Sequence, residues 1–307
     1  MPQPIWDAVL AYRPQFFLFA GDNCYGDFNS ADAGNLRKAY AEAGQVPGYA
    51  RLRDTVSHLA VWDDHDYGAN DGGADFAHKA VSKEIFLDFW NVPPGDVRRQ
   101  REGIYDSRIV GPPGMRVQIV LLDVRWFRSP LKVTDQRGAP GKERYLPDPD
   151  PAKTMLGPAQ WAWLAEELRK PAEIRLVVSS TQMLAEGHGW ERWGNFPLEK
   201  RKLIDTIRTS GAKGVLLLSG DRHIGALYRE THPGLYPLHE ITSSGLNMVY
   251  WAAREPGPNR IGALYAAANF GVVDIDWWER KVTLALRDEG GSTRRAVDIA
   301  FDTIEAG

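Results

Sequence analysis

Three short runs in this 307-residue chain gather carboxylates, imidazoles and a phenol. Gly21-Asp22-Asn23-Cys24-Tyr25 follows the apolar run 16–20. Trp62-Asp63-Asp64-His65-Asp66 follows Leu59-Ala60-Val61. Ser219-Gly220-Asp221-Arg222-His223 follows the apolar run 214–218. Carboxylates suit hard cations and imidazole suits transition metals, so runs of this kind meeting at one place would make a metal site. Asp22 and Tyr25 are three apart on a tight turn and can face one cation. The plainer alternative is a turn aspartate bonded to backbone beside an unrelated tyrosine, with Cys24 a small buried filler. Asp63 to Asp66 put three carboxylates around His65 directly after a buried-type strand, where charges must be paired or bind metal. A solvated loop is the rival explanation. Those carboxylates favour imidazolium at His65, the form a proton donor needs. Asp221 and His223, two apart in extended backbone, would point the same way. An aspartate–histidine bond holding a loop would explain them equally. Gln182, just past the strand ending near Ser179, is a candidate neutral oxygen ligand or a core glutamine. Arg125, after Asp123, is a candidate phosphate-binding residue or half of a structural ion pair.

The elements that must position these groups alternate. A short helix begins after Pro4. Strands are expected over 15–20, 103–110, 115–123, 174–179 and 214–218, and helices over 35–42, 77–90, 157–170 and 198–209. A polar loop covers 134–151, and a Gly- and Trp-rich loop covers 187–197. The strands 271–276, 281–287 and 295–301 close the chain as an antiparallel meander. This order predicts an α/β fold, a layered sandwich of two mixed β-sheets flanked by helices, in one domain over 1–307. In open α/β sheets chemistry sits outside the carboxyl ends of the strands, where all three runs fall.

Composition is that of a globular protein, with 43% hydrophobic and 25% charged residues and a net charge of −3. No global field points to nucleic acid, and no run of 18 apolar residues points to a membrane span. Cys24 is the single cysteine, so no internal disulfide forms.

Taken together the runs resemble the alkaline phosphatase D (PhoD-like) family of calcineurin-like metallophosphatases. The matching residues are Gly21 to Asp27, Trp62 to Gly68 and Ser219 to His223, with further likeness through 87–93, 99–105, 121–128 and 193–201. The resemblance implies a phosphoric ester hydrolase, acting as phosphomonoesterase, phosphodiesterase or both on a small-molecule substrate. It implies iron(III) plus calcium, with other divalent metals as alternatives. Asp22 becomes the bridging ligand, Tyr25 an iron ligand, Asp64 a ligand and His65 the general acid. Asp221 stands where the broader family has histidine, and His223 keeps the second histidine of that block. Oxygen in place of nitrogen favours a harder metal. The family's middle block has a histidine after the strand where this chain offers only Gln182. The family opens with a strand carrying an early metal ligand, and that element would fall before Pro2. The expectation is therefore a chain lacking its first strand, with poor metal retention, low activity and self-association through the edge at 16–20. The resemblance implies a periplasmic or secreted location, which nothing in the residues themselves signals. The rivals to a phosphoesterase are a metal-dependent carboxylic ester hydrolase and a metal-poor chain with a binding role.

Overall fold

The structure is a computed structural model and describes residues 3–305. Its strands are β1 (Phe16–Ala20), β2 (Ser57–Val61), β3 (Asp106–Val110), β4 (Val117–Leu121), β5 (Lys132–Val133), β6 (Tyr145–Leu146), β7 (Ile174–Ser179), β8 (Val215–Ser219), β9 (Gly225–His232), β10 (Leu235–Ser243), β11 (Arg260–Tyr265), β12 (Asn269–Asp276), β13 (Lys281–Asp288) and β14 (Thr293–Ala300). The helices that matter for the site are α1 (Ile5–Ala11), α2 (Gly34–Gly44), α3 (Pro47–Thr55), α4 (Asp64–Tyr67) and α5 (Lys79–Phe89).

The central layer is a mixed sheet in the order β11-β9-β10-β8-β7-β4-β3. Its middle strands β10, β8, β7 and β4 run parallel. Parallel strands are covered on both faces and read as continuous apolar runs, and β7 is buried along its whole length. The edge strands β3 and β11, and β9 beside β11, pair antiparallel. The second layer comes in two pieces, a parallel pair β1–β2 and an antiparallel set β12-β13-β14. The mixed α/β architecture expected from the sequence is present, as are the closing meander and the helix packing Trp161 and Leu164 into the core. Strands β9, β10 and β11 lie where no element was expected. Their sequence mixes charged and apolar residues, since β9 is buried only in its first half. The loop expected over 134–151 is pinned by the two-residue pairing of β5 with β6.

Between the two pieces of the second layer lies an apolar cavity of about 1150 Å³. Trp6 and Val9 of α1, Phe17 and Phe19 of β1, Leu176 of β7 and Val272 of β12 are among its walls. Among the described residues β1 pairs only with β2 and β12 only with β13, so each offers an open edge to this space. Open edges of apolar strands are templates for pairing with another chain. Self-association that grows with protein concentration is expected, and placing a lysine in the edge by Phe17→Lys should reduce it. Sedimentation of both forms checks this, and a concentrated wild-type sample that stays monomeric would refute it.

Candidate metal centre

The chain leaves β1, β2 and β8 on the same side of the molecule, and each exit turn carries acid. Two glycines let these turns close in. A side-chain carbon on Gly21 would sit 2.5 Å from Asp63 Cβ, and one on Gly220 would sit 2.8 Å from the Ala20 carbonyl oxygen. Asp22, Asp71, Asp221 and His223 all have left-handed backbone, with φ of 49°, 51°, 63° and 54°. Non-glycine residues are held there only where the surroundings over-determine them, and such residues cluster at functional sites. The expectation that Asp221 and His223 lie in extended backbone is thus corrected. They sit in a turn after β8 and reach the site through its curvature.

Asp64 is the hub. It belongs to three groups whose ligand atoms lie within 4.8 Å of one another, with Asp22 and His65, with Asp63 and Asp221, and with Asp71 and Glu191. The Asp64 carboxylate is aimed by its own neighbours, accepting from the backbone of His65 at 2.9 Å and of Asp71 at 2.7 Å. His223 Nε2 lies 3.1 Å from the Tyr25 hydroxyl and 3.4 Å from Asp22 Oδ2. The Tyr25 and His65 rings sit 4.8 Å apart. Asp22, Tyr25, Asp64, His65, Asp221 and His223 therefore meet at one place.

The electrostatics describe a site short of positive charge. Burial raises Asp22 well above the usual carboxylate range, and the charges of Asp64, Asp63, Asp66 and Asp221 add to it. Burial does the same to Asp221, with Asp63 next in order. Tyr25 is pushed up by burial and then by Asp22. Among the described residues Asp22 Oδ1 and Asp63 Oδ2 are buried without a hydrogen-bond partner. Orphaned buried oxygens are costly and call for an ion or water. The donor set fits cations. Carboxylates alone gather at Asp63, Asp64 and Asp221, as calcium prefers, while the phenol and imidazole of Tyr25 and His223 suit a transition metal. Burial, Arg222 and His65 lower His223 to about 4, leaving the neutral imidazole that ligates metal.

His65 goes the other way. Burial opposes its charge, but a hydrogen bond from Nδ1 to Asp27 Oδ2 at 2.7 Å and the charges of Asp64, Asp27 and Asp63 lift it to about 9. Asp27 lies two residues past the first run, and its type alone gave no hint that it reaches His65.

Two expected residues are placed differently. Arg125 has no exposed surface. Its Nε donates to Asp63 Oδ1 at 2.8 Å and its Nη1 to Glu191 Oε1 at 2.9 Å. It holds Asp63 from behind and cannot touch a substrate from solvent, so the substrate-binding expectation is corrected in favour of an ion pair. Gln182 is fully buried. Its amide nitrogen donates to Tyr228 and Thr242 at 3.0 Å each, and its oxygen pairs with His188 at 3.0 Å. Its polar atoms are spent in a core network outside the carboxylate cluster, as a core glutamine's would be. Asp63, Asp71 and Glu191 were not singled out as ligands. Asp63 lay in the acidic run without a role, and nothing in the sequence around Asp71 or Glu191 signals that loops so far apart in the chain converge on Asp64.

Oxygen and imidazole ligands pooled at the strand ends of a mixed sheet make a site fit for metal ions. The family follows from the sequence as a whole. The model of the PhoD-like phosphatase family matches residues 3–256, and the chain belongs to that family. Among solved structures it is similar to one described as PhoD, with 14% identity and a TM-score of 0.62, covering 100% of this chain and 70% of that one. It is also similar to GAP50, the anchor in the inner membrane complex of Plasmodium, with 11% identity and a TM-score of 0.61, covering 98% of this chain and 85% of that one. At these identities the two likenesses speak for the fold. Among curated proteins no sequence matches the chain. Among the described residues no helix is long and apolar enough to cross a membrane.

Proposed function

We propose that this chain, working as one domain, hydrolyses small phosphoric esters with His65 as general acid. Asp22, Tyr25, Asp64, Asp221 and His223 are the residues that would hold a pair of cations, iron(III) and calcium being the pair the family resemblance implies. Asp63 joins them as a further oxygen donor. When bound, the cations supply the charge that polarises the phosphoryl group and lowers the pKa of water. The single observation that carries the reading is the Asp27–His65 pair set against the pooled carboxylates. Asp27 accepts from His65 Nδ1 and fixes the ring, so the proton destined for the leaving alkoxide is held at Nε2. Arg125 and Ser180, which donates to Asp63 Oδ1 at 2.6 Å, keep Asp63 in place. Asp66, which accepts from Asn23 and Tyr40 and caps α4, fixes the turn that presents Asp64 and His65.

A second reading has its own support. GAP50 shares the fold and its description is that of an anchor, so a site on this scaffold need not turn over. One set of measurements separates the readings. The chain is loaded with iron and calcium, its metal content is determined, and its turnover of p-nitrophenyl phosphate, bis-p-nitrophenyl phosphate and p-nitrophenyl acetate is measured. Hydrolysis of the phosphates alone is expected. Acetate hydrolysis alone would favour a carboxylic esterase, and bound metal without turnover would favour a binding role. Loading should also raise thermal stability, because cations bind the folded site. At 100 times the dissociation constant the gain is about 2.7 kcal/mol. An unchanged melting temperature on loading would count against the metal site itself.

A further inference from the structure

Four arginines crowd the carboxylate cluster, and three are locked. Arg125 and Arg128 are buried against Glu191, and Arg222 is buried against Glu255. Arg144 differs. A third of its side chain is exposed, and among the described residues its guanidinium makes a single hydrogen bond, from Nη1 to Asp71 Oδ2 at 2.6 Å. The Tyr145 hydroxyl donates to the same oxygen at 2.7 Å. Asp71 in turn donates its backbone N–H to Asp64, so Arg144 stands one link from the hub of the metal centre. The guanidinium lies 5.2 Å from the centre of the Trp190 ring, and the Arg144 backbone N–H donates to the Gly189 carbonyl at 3.0 Å. Stacking and backbone pairing hold the fork in place while Nε and Nη2 remain free to donate. A fixed, solvent-facing guanidinium with spare donors beside a cation site is suited to a tetrahedral oxyanion.

We propose that Arg144 is a substrate-positioning residue that takes a non-bridging oxygen of the phosphoryl group, and that it favours phosphoric monoesters over diesters. A monoester carries three non-bridging oxygens and, near neutral pH, up to two negative charges. A diester carries two such oxygens and one charge. A cation held beside the metal centre therefore has one more acceptor and more charge to meet in a monoester. The inference rests on the phosphoesterase reading above and names its substrate class.

Arg144→Ala and Arg144→Lys test it on the metal-loaded chain. Three quantities are read: KM for p-nitrophenyl phosphate and for bis-p-nitrophenyl phosphate, the inhibition constant of inorganic phosphate, and metal content. Losing a charge-assisted hydrogen bond should raise the monoester KM and the phosphate constant about 10- to 100-fold. The diester KM should rise much less, with metal content unchanged. Guanidinium ion added to Arg144→Ala should recover part of the loss, and Arg144→Lys should fall between. Equal rises for monoester and diester overturn the proposal. So does a loss of metal with the phosphate constant unmoved, which would mean that Arg144 acts only through Asp71. Should Arg144→Ala fail to fold, Arg144→Lys and Arg144→Gln carry the same comparison. Inorganic phosphate binding, followed by calorimetry, keeps the two readings apart. A wild-type chain that binds phosphate through Arg144 yet turns over no ester refutes the proposed function and upholds the Arg144 site. Turnover with Arg144-independent phosphate binding does the reverse.

Discussion

His65→Ala is expected to lower kcat by roughly 10²- to 10⁴-fold, the usual contribution of a positioned acid or base. The loss should be smaller on an aryl phosphate, whose leaving group needs little protonation, than on an alkyl phosphate, whose alkoxide needs it fully. Folding should be nearly unaffected, since the His65 side chain is partly exposed and its ring hydrogen bond is to Asp27, which is itself partly exposed. Asp27→Asn keeps the imidazole but loses the carboxylate that orients it, so a smaller fall is expected, about 10- to 100-fold by analogy with outer-shell partners of histidine. Steady-state rates on a matched aryl and alkyl pair decide the matter. Equal losses on the two substrates would remove His65 from the acid role and leave it a structural or ligating one.

Arg125→Leu should be the most destabilising change near the site. Arg125 is fully buried and its guanidinium is shared between Asp63 and Glu191, both buried. Burial raises both acids, and Arg125 is the largest influence lowering each. Taking it away strands two carboxylates, and breaking a buried pair from one side costs about 3–5 kcal/mol. Set against a typical total of roughly 5–15 kcal/mol, that is a large share of the fold's stability. The pH dependence has a definite sign in the metal-free protein. Without Arg125 the folded-state pKa values of Asp63 and Glu191 rise further above their unfolded values. The folded chain then binds more protons than the unfolded one between those two values. Wild type already holds both acids raised, Asp63 to about 7, so the variant's extra destabilisation grows as pH rises through about 7 and shrinks as pH falls below it. Urea unfolding of wild type and variant at several pH values measures this. A difference that does not vary with pH would show that lost packing, rather than stranded charge, sets the cost.

The two unequal fates of Arg125 and Arg144 show where sequence reading stops. Both are arginines in loops, and Arg125 drew notice because it follows a strand and an aspartate. Only the folded chain shows that Arg125 faces inward onto Asp63 and Glu191 while Arg144, from a loop that looked featureless, reaches the cluster through Asp71. Gln182 was ambiguous for the same reason. An amide after a strand can ligate metal or join a core network, and its partners Tyr228, Thr242 and His188 come from other elements.

By itself the sequence determined the α/β class, because strand and helix patterning is local. It also determined the membership of the three acidic runs, because hydrophobic strands followed by turns carrying acid are local signals too. The tertiary structure decided everything that depends on closure between distant segments. It split the second layer around an apolar cavity with two open strand edges, bent Asp221 and His223 through left-handed turns, and brought Asp71 and Glu191 to Asp64. Contacts between residues far apart in the chain leave no periodicity to read. Only packing, which lets Gly21 and Gly220 bring the strand ends together, fixes which side chains share one site.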